Sequence, residues 1–284
     1  MRLGGPIFDT NPDPEALVAY HQEHGFSAAF MRHDHDKVRR DEICAAYAEA
    51  NILPAELGAY RHNVLDTNPD KREAFIDEIC RRLEYADEAG ILCCVIHGGS
   101  YETGSWGSPN PDNFGEQAFD ETVEAIRNIL ERVKPRRTKL VIETEKYVFP
   151  NEPDLYIRLV KAIDHPQFGV HLDPINMIFS PKRLYENGQY LKQCFEILGP
   201  HIVSCHSKDL TTTDTYPHHI IETYTGNGWL DHDVYLTELV KLHDDVPLMI
   251  EHLTAEQLPM ARDHLFAKAK KLGLCFVRPT AKSR

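Results

Sequence analysis

The chain has 284 residues, of which 42% are hydrophobic and 26% charged, and its formal net charge at pH 7 is −13. That length suits an α/β barrel, which often runs to about 250 residues as one domain, and no apolar run approaches the roughly 18 residues of a membrane span. The acidic balance disfavours a surface that neutralises many phosphates, so neither nucleic acid nor a membrane is the expected partner.

The first residues carry a single arginine and a short apolar run broken by Gly4, Gly5 and Pro6, with no small-residue cleavage pattern. The seven cysteines are odd in number and scattered, with Cys93 and Cys94 adjacent in an apolar run, which suits reduced thiols. A cytoplasmic location is therefore expected.

In chain order, β-type runs fall at 2–8, 26–32, 54–60, 91–97, 139–144, 168–173, 201–206 and 246–252. Amphipathic stretches lie between them. Asp13 before Pro14, Pro69 with Asp70, and Asp231 or Asp233 open helices. Gly25, Gly90 and Gly273 follow helical runs, where a left-handed cap is wanted. Strands that alternate with helices in this way predict a single-domain (β/α)8 TIM barrel over 1–284, with about 278–284 as a flexible tail. A doubly wound open sheet is the alternative, but no GxGxxG or P-loop pattern marks a switch point.

The segment FGVHLDPINM, 168–177, opens as an apolar strand and ends in His171 and Asp173, groups that are costly to bury. A barrel explains this, because the C-terminal ends of its strands line the site. Four successive strands end in polar groups: Glu143, Asp173, His206 and Glu251. Any one of them alone reads as a helix cap or ion-pair partner. Together, converging carboxylates would repel one another unless a cation joined them. Three carboxylates and an imidazole form a hard donor set suited to Mn²⁺, Mg²⁺ or Co²⁺, with Zn²⁺ also able to bind.

The segments VIETE, GVHLDPIN, VSCHSKD and LMIEH, with YTGNGWLD between the last two, resemble the xylose-isomerase-like TIM barrels called sugar phosphate isomerases/epimerases, over nearly the whole chain. In the ketose 3-epimerase branch a Glu, Asp, His and Glu in this strand order hold one divalent metal. The resemblance maps them to Glu143, Asp173, His206 and Glu251 and implies one ion, Mn²⁺ first among the candidates. It implies a sugar or polyol isomerase/epimerase in which a proton leaves the carbon beside a carbonyl, the metal stabilises a cis-enediolate, and Glu143 and Glu251 serve as base and acid. The expected partner is a small sugar or polyol, with an unphosphorylated one preferred. Relatives are commonly dimers or tetramers, so a homodimer or homotetramer is implied by analogy.

Asn176 and Thr212 stand where the epimerase branch carries a histidine and an arginine, which leaves the substrate open. Other relatives on the scaffold are dehydratases, so a metal-dependent lyase of a keto-polyol or keto-acid is the alternative function. An apurinic-site endonuclease would need several zinc ions and a histidine where Asn176 stands. A non-catalytic sugar-binding barrel would have little use for two carboxylates on one metal.

Substrate contacts are expected from His97 in VIHGGS, where Gly98 and Gly99 let backbone approach a ligand, and from Asn176. Lys208 shares a strand face with His206; it either meets substrate or pairs with Asp209 or a nearby glutamate. His62 and Trp106 are further substrate candidates, Trp106 in a glycine-rich loop long enough to act as a lid. His171, one layer deeper than Asp173, is expected to support the metal site. Glu145 shares the parity of Glu143 and either supports the site or is a loop carboxylate. RHDHD, 32–36, imitates an H-x-H metal pair but reads as a capping segment, and PHH, 217–219, reads as exposed.

Overall fold

The alternation of apolar strands and helices closes into a barrel in the computed structural model, which describes residues 1–8, 11–34 and 36–280. Strands β1 (Arg2–Gly5), β2 (Ala28–Met31), β3 (Leu53–Gly58), β4 (Cys93–His97), β5 (Lys139–Glu143), β6 (Phe168–Leu172) and β7 (Ile202–Ser207) pair in parallel. Two further strands, β8 (Asp209–Thr212) and β9 (Ile220–Thr223), form a separate antiparallel hairpin, and β10 (Pro247–Ile250) closes the barrel between β7 and β1. Every predicted strand supplies one stave. The hairpin was not predicted, and PHH lies exposed in the turn at its tip.

The helices are α1 (Pro14–His24), α2 (Lys37–Glu49), α3 (Pro69–Ala89), α4 (Glu116–Val133), α5 (Pro153–Ile163), α6 (Pro181–Tyr185), α7 (Asn187–Leu198), α8 (His232–Leu239) and α9 (Leu258–Lys271). Their starts follow side-chain chemistry. Asp13 accepts the Ala16 amide at 2.9 Å, and Asn68, just before Pro69, accepts that of Lys71. Asp231, rather than Asp233, caps α8 through the Val234 amide; Asp233 pairs with Lys268 and Lys271. Gly25 and Gly90 take left-handed φ values of 69° and 72°, which glycine adopts without a Cβ penalty.

Outward residues of the strands, such as Leu57, Ile96, Ile142 and Leu172, pack on the helices in the main core. Inward residues divide into two levels. Ala28, Ala55 and Met249 form one inner cluster, and Cys93, Val95, Val141 and Val203 another. A Cβ on Gly4 would come within 2.5 Å of the Met249 sulfur, so only glycine fits there.

Two register shifts separate this apolar floor from the polar level above it. Ala29 pairs with Pro54 but Phe30 pairs with Glu56, and Val170 pairs with Ile202 but His171 pairs with Ser204. Each shift leaves one extra residue, Ala55 or Val203, in an inner apolar cluster, and the next residue also points inward.

All seven cysteines are unpaired, and among the described residues no helix is long and apolar enough to cross a membrane. The expected tail is held at its start: the Arg278 guanidinium lies 3.8 Å above the Phe266 ring, and the Thr280 amide donates to Ala50. Residues 281–284 lie outside the described residues. So does His35 of the H-x-H pair; Asp36 caps α2 through Val38 and Arg39 as a capping segment should.

A candidate metal centre at the barrel mouth

Glu143 ends β5, Asp173 follows β6 just before Pro174, His206 lies in β7, and Glu251 follows β10. The four offer ligand atoms that all lie within 4.8 Å of one another. His206 Nδ1 is 2.8 Å from Glu251 Oε1, 3.2 Å from Glu143 Oε1 and 3.9 Å from Asp173 Oδ2. Three of the four are buried and Glu251 is half-buried. Asp173 Oδ1 is buried without a hydrogen-bond partner, which leaves an acceptor of this carboxylate unsatisfied. The set fits a divalent cation.

Lys208 enters the same cluster. Its side chain is 1% exposed, its ammonium is 2.5 Å from Asp173 Oδ2 and 3.8 Å from Glu143 Oε1, and it also contacts Glu251 Oε1. It thus pairs with three of the candidate ligands, and Asp209, its adjacent alternative partner, instead accepts the amides of Leu210, Gly226, Gly228 and Leu230. Burial opposes the charge on Lys208, but Asp173, Glu251 and Glu143 outweigh it and hold its pKa well above the usual lysine value. His206 is held high in the same way by Glu251, Glu143 and Glu56.

The two glutamates respond oppositely. Burial pushes Glu143 up to about 7, against the pull of His206. Burial acts on Glu251 too, but His206 and Lys208 overcome it and keep its carboxyl well below the usual range.

Asn176 is placed to organise ligands: its amide nitrogen donates to Asp173 Oδ2 at 3.1 Å and to Glu143 Oε1 at 3.5 Å. His97 Nε2 is 3.6 Å from Glu143, and the imidazole stacks on Trp106 with centroids 4.0 Å apart. Burial lowers the His97 pKa to about 3, so the ring is neutral. Glu145 is half-buried with its carboxyl raised by burial, and Asp173 adds to that rise. His62 is not drawn in: it contacts the Ala59 carbonyl and packs edge-on against Phe75 of α3.

The Trp106 loop is held by side chains that bond its backbone. Asn63 donates to the carbonyls of Ser100, Glu102 and Ser105, Asp66 accepts the Gly104 amide, and Asn113 donates to the carbonyls of Ser108 and Tyr147.

Two site residues escape the sequence reading. Tyr60 meets the His97 ring at 5.1 Å, and burial, then Glu143, Glu56 and Glu251, keep its phenol protonated. Glu56 is 1% exposed and lies beneath the cluster, its Oε2 3.0 Å from His206 Nε2. The available signal was a lone carboxylate in the otherwise uncharged run PAELGAY. His171 lies deeper: its Nδ1 is 2.6 Å from Ser204 Oγ and its ring meets that of His206 edge-on at 4.0 Å.

A parallel eight-strand barrel with a polar cluster at the C-terminal ends of its strands defines a TIM barrel with a candidate site at its mouth. The chain belongs to the xylose isomerase-like TIM barrel family, whose profile matches residues 18–269. Among solved structures it is similar to endonuclease IV from Thermus thermophilus, with a TM-score of 0.74 and 15% identity over 95% of this chain and 100% of that one. D-psicose 3-epimerase from Clostridium cellulolyticum, solved with D-tagatose, gives 0.70 and 12% over 97% and 100%. The probable 3-DHS dehydratase AsbF of Bacillus anthracis gives 0.69 and 16% over 96% and 98%. At these identities the likeness establishes the fold alone. No protein of curated function matches the sequence.

Proposed function

We propose that this barrel is a divalent-metal-dependent isomerase or epimerase of a small, unphosphorylated sugar or polyol, acting by proton removal beside a carbonyl. The observation that carries the reading is the convergence of Glu143, Asp173, His206 and Glu251 at the barrel mouth, with ligand atoms within 4.8 Å of one another and the two glutamates entering from β5 and from the end of β10, staves that β6 and β7 separate. Two carboxylates that reach one substrate from different staves can divide acid and base roles between them.

Glu143, Asp173, His206 and Glu251 would hold the cation, with Mn²⁺ the ion proposed for so oxygen-rich a set. A divalent ion there supplies Lewis acidity, drawing charge from the substrate's carbonyl and hydroxyl oxygens as the C–H proton leaves. Glu251 takes that proton, and Glu143 delivers one to the opposite face or to the neighbouring carbon. Asn176 keeps the carboxylates of Asp173 and Glu143 in place. His97, Trp106 and Tyr60 form the wall against which the apolar face of a sugar ring or chain would lie.

The test is deuterium uptake from D2O into a panel of ketoses, keto-polyols and their phosphates, followed by mass spectrometry, with Mn²⁺ and with a chelator. Metal-dependent uptake without loss of mass is expected, and the product then separates epimerisation from isomerisation. Metal-dependent loss of water would replace the reading with a dehydratase. Uptake that survives complete chelation would overturn the metal-dependent mechanism.

A further inference from the structure

Beneath the four candidate ligands lies a second polar layer of Glu56, His171 and Ser204, each fully or almost fully buried. We propose that Glu56 is the positioning residue of the centre: it accepts the Nε2–H of His206, so that Nδ1, the nitrogen facing Glu143, Asp173 and Glu251, is the one that gives up its proton to a cation bound among them. The inference rests on reading those four residues as metal ligands.

A histidine that ligates through Nδ1 must carry its proton on Nε2. Both ring nitrogens of His206 face carboxylates; a cation among the three at the mouth would displace the Nδ1 proton, whereas a buried Nε2–H without an acceptor is costly and is kept by one beneath it. Glu56 Oε2 is that acceptor at 3.0 Å, on a nitrogen opposite the one that faces the three carboxylates. Such carboxylate–histidine pairs fix ring orientation and raise ligand basicity at metal sites.

The backbone is shaped for this contact. The register shift in β3 pairs Phe30 with Glu56 and leaves Ala55 unpaired, so the carboxylate swings into the barrel. The shift between β6 and β7 does the same for Ser204, which meets His171 Nδ1 at 2.6 Å. His171 Nδ1 lies 3.5 Å from the other oxygen of Glu56, and its ring stands edge-on to His206. Both irregularities thus deliver a polar side chain to one histidine pair. Bulges commonly re-aim side chains beside active sites.

Glu56, His171 and His206 also lie close enough together to suit a cation of their own. The direct Nε2–H to Oε2 bond favours a proton over an ion in that position, and stoichiometry separates the two.

The experiment uses the full chain stripped of metal, as wild type, Glu56→Gln, which keeps an oxygen acceptor, and Glu56→Met, which matches the length without one. Mn²⁺ binding is followed by calorimetry and by the electron paramagnetic resonance of free Mn²⁺. The His206 ring is followed by ¹⁵N NMR in the Zn²⁺-loaded protein, assigned with His206→Asn. Wild type should bind one equivalent, Glu56→Met should weaken binding about 10–100-fold, and Glu56→Gln should stay near wild type with the Nε2–H signal intact. Unchanged binding in a folded Glu56→Met, or equal losses in both variants, would overturn the proposal. Two equivalents in wild type, one of them lost in Glu56→Gln, would overturn it in favour of an inner ion. If Glu56→Met does not fold, the NMR of Glu56→Gln decides: a lost Nε2–H signal overturns the proposal and a retained one supports it. A wild type that binds no divalent ion removes the metal-site reading itself, and this inference with it.

Discussion

Lys208 offers the sharpest test of the charge balance at the barrel mouth. Its ammonium is buried against Asp173 and Glu251, with Glu143 close by. Lys208→Met preserves most of the volume and removes the charge, leaving carboxylates facing one another. Breaking a buried pair by removing one partner typically costs about 3–5 kcal/mol, because the remaining charge stays desolvated. For 284 residues, an unfolding entropy of about 2.1 cal/mol/K per residue gives roughly 0.6 kcal/mol/K, so Tm should fall by about 5–8 °C. Scanning calorimetry in a chelator reads this directly. Saturating Mn²⁺ should then raise the variant's Tm by more than it raises that of wild type, since the ion replaces the missing charge. Equal Tm values for variant and wild type in chelator would refute the assignment of Lys208 as the resident counter-charge.

Asp173→Ala should lose metal and turnover together, whereas Glu251→Gln should keep part of its metal while losing proton transfer; metal analysis beside steady-state rates distinguishes them, and normal turnover in metal-free Asp173→Ala would sink the mechanism. Asn63→Ala removes the donor shared by three loop carbonyls and should cost about 1–3 kcal/mol, as buried polar groups left unpaired do. Hydrogen exchange across 98–108 should accelerate selectively. Acid should destabilise the fold through His21 and His232, whose buried rings have pKa values lowered from 6.5 to about 4 and about 3. Both are neutral when folded, so stability holds above pH 6.5 and falls below it as the unfolded chain takes up protons, by about 2 kcal/mol for each ring at pH 5. Urea midpoints that do not fall between pH 7.5 and 5 would contradict this.

The staves were legible because each is an apolar run with readable punctuation: CCVIH follows Gly90, which caps α3, and FGVHL runs into Asp173 and Pro174. The candidate ligands were legible because polar residues end four such runs. Glu56 was hidden by the backbone. Counting in strict alternation from Ala55, which faces inward, puts Glu56 against the helices, and only the register shift reverses that. Lys208 showed its strand face but not its partners, since the choice between Asp209 and the distant carboxylates depends on how the barrel closes. His62 failed for a related reason: it lies beyond the end of β3, where strand parity no longer fixes direction. The hairpin β8–β9 lies outside the barrel as a separate two-stranded sheet, and its run is interrupted by the exposed turn.

The apolar floor, closed where Gly4 meets Met249, makes the polar level a dead end. On the proposed function, a hydrogen taken from a substrate by Glu251 would leave through the mouth by which the substrate enters. The deuterium gained per turnover then reports how many glutamates handle the hydrogen: a value near one is expected where Glu143 delivers a proton other than the one Glu251 removed. A value well below one would mean that a single carboxylate removes and returns the same hydrogen behind a shut mouth.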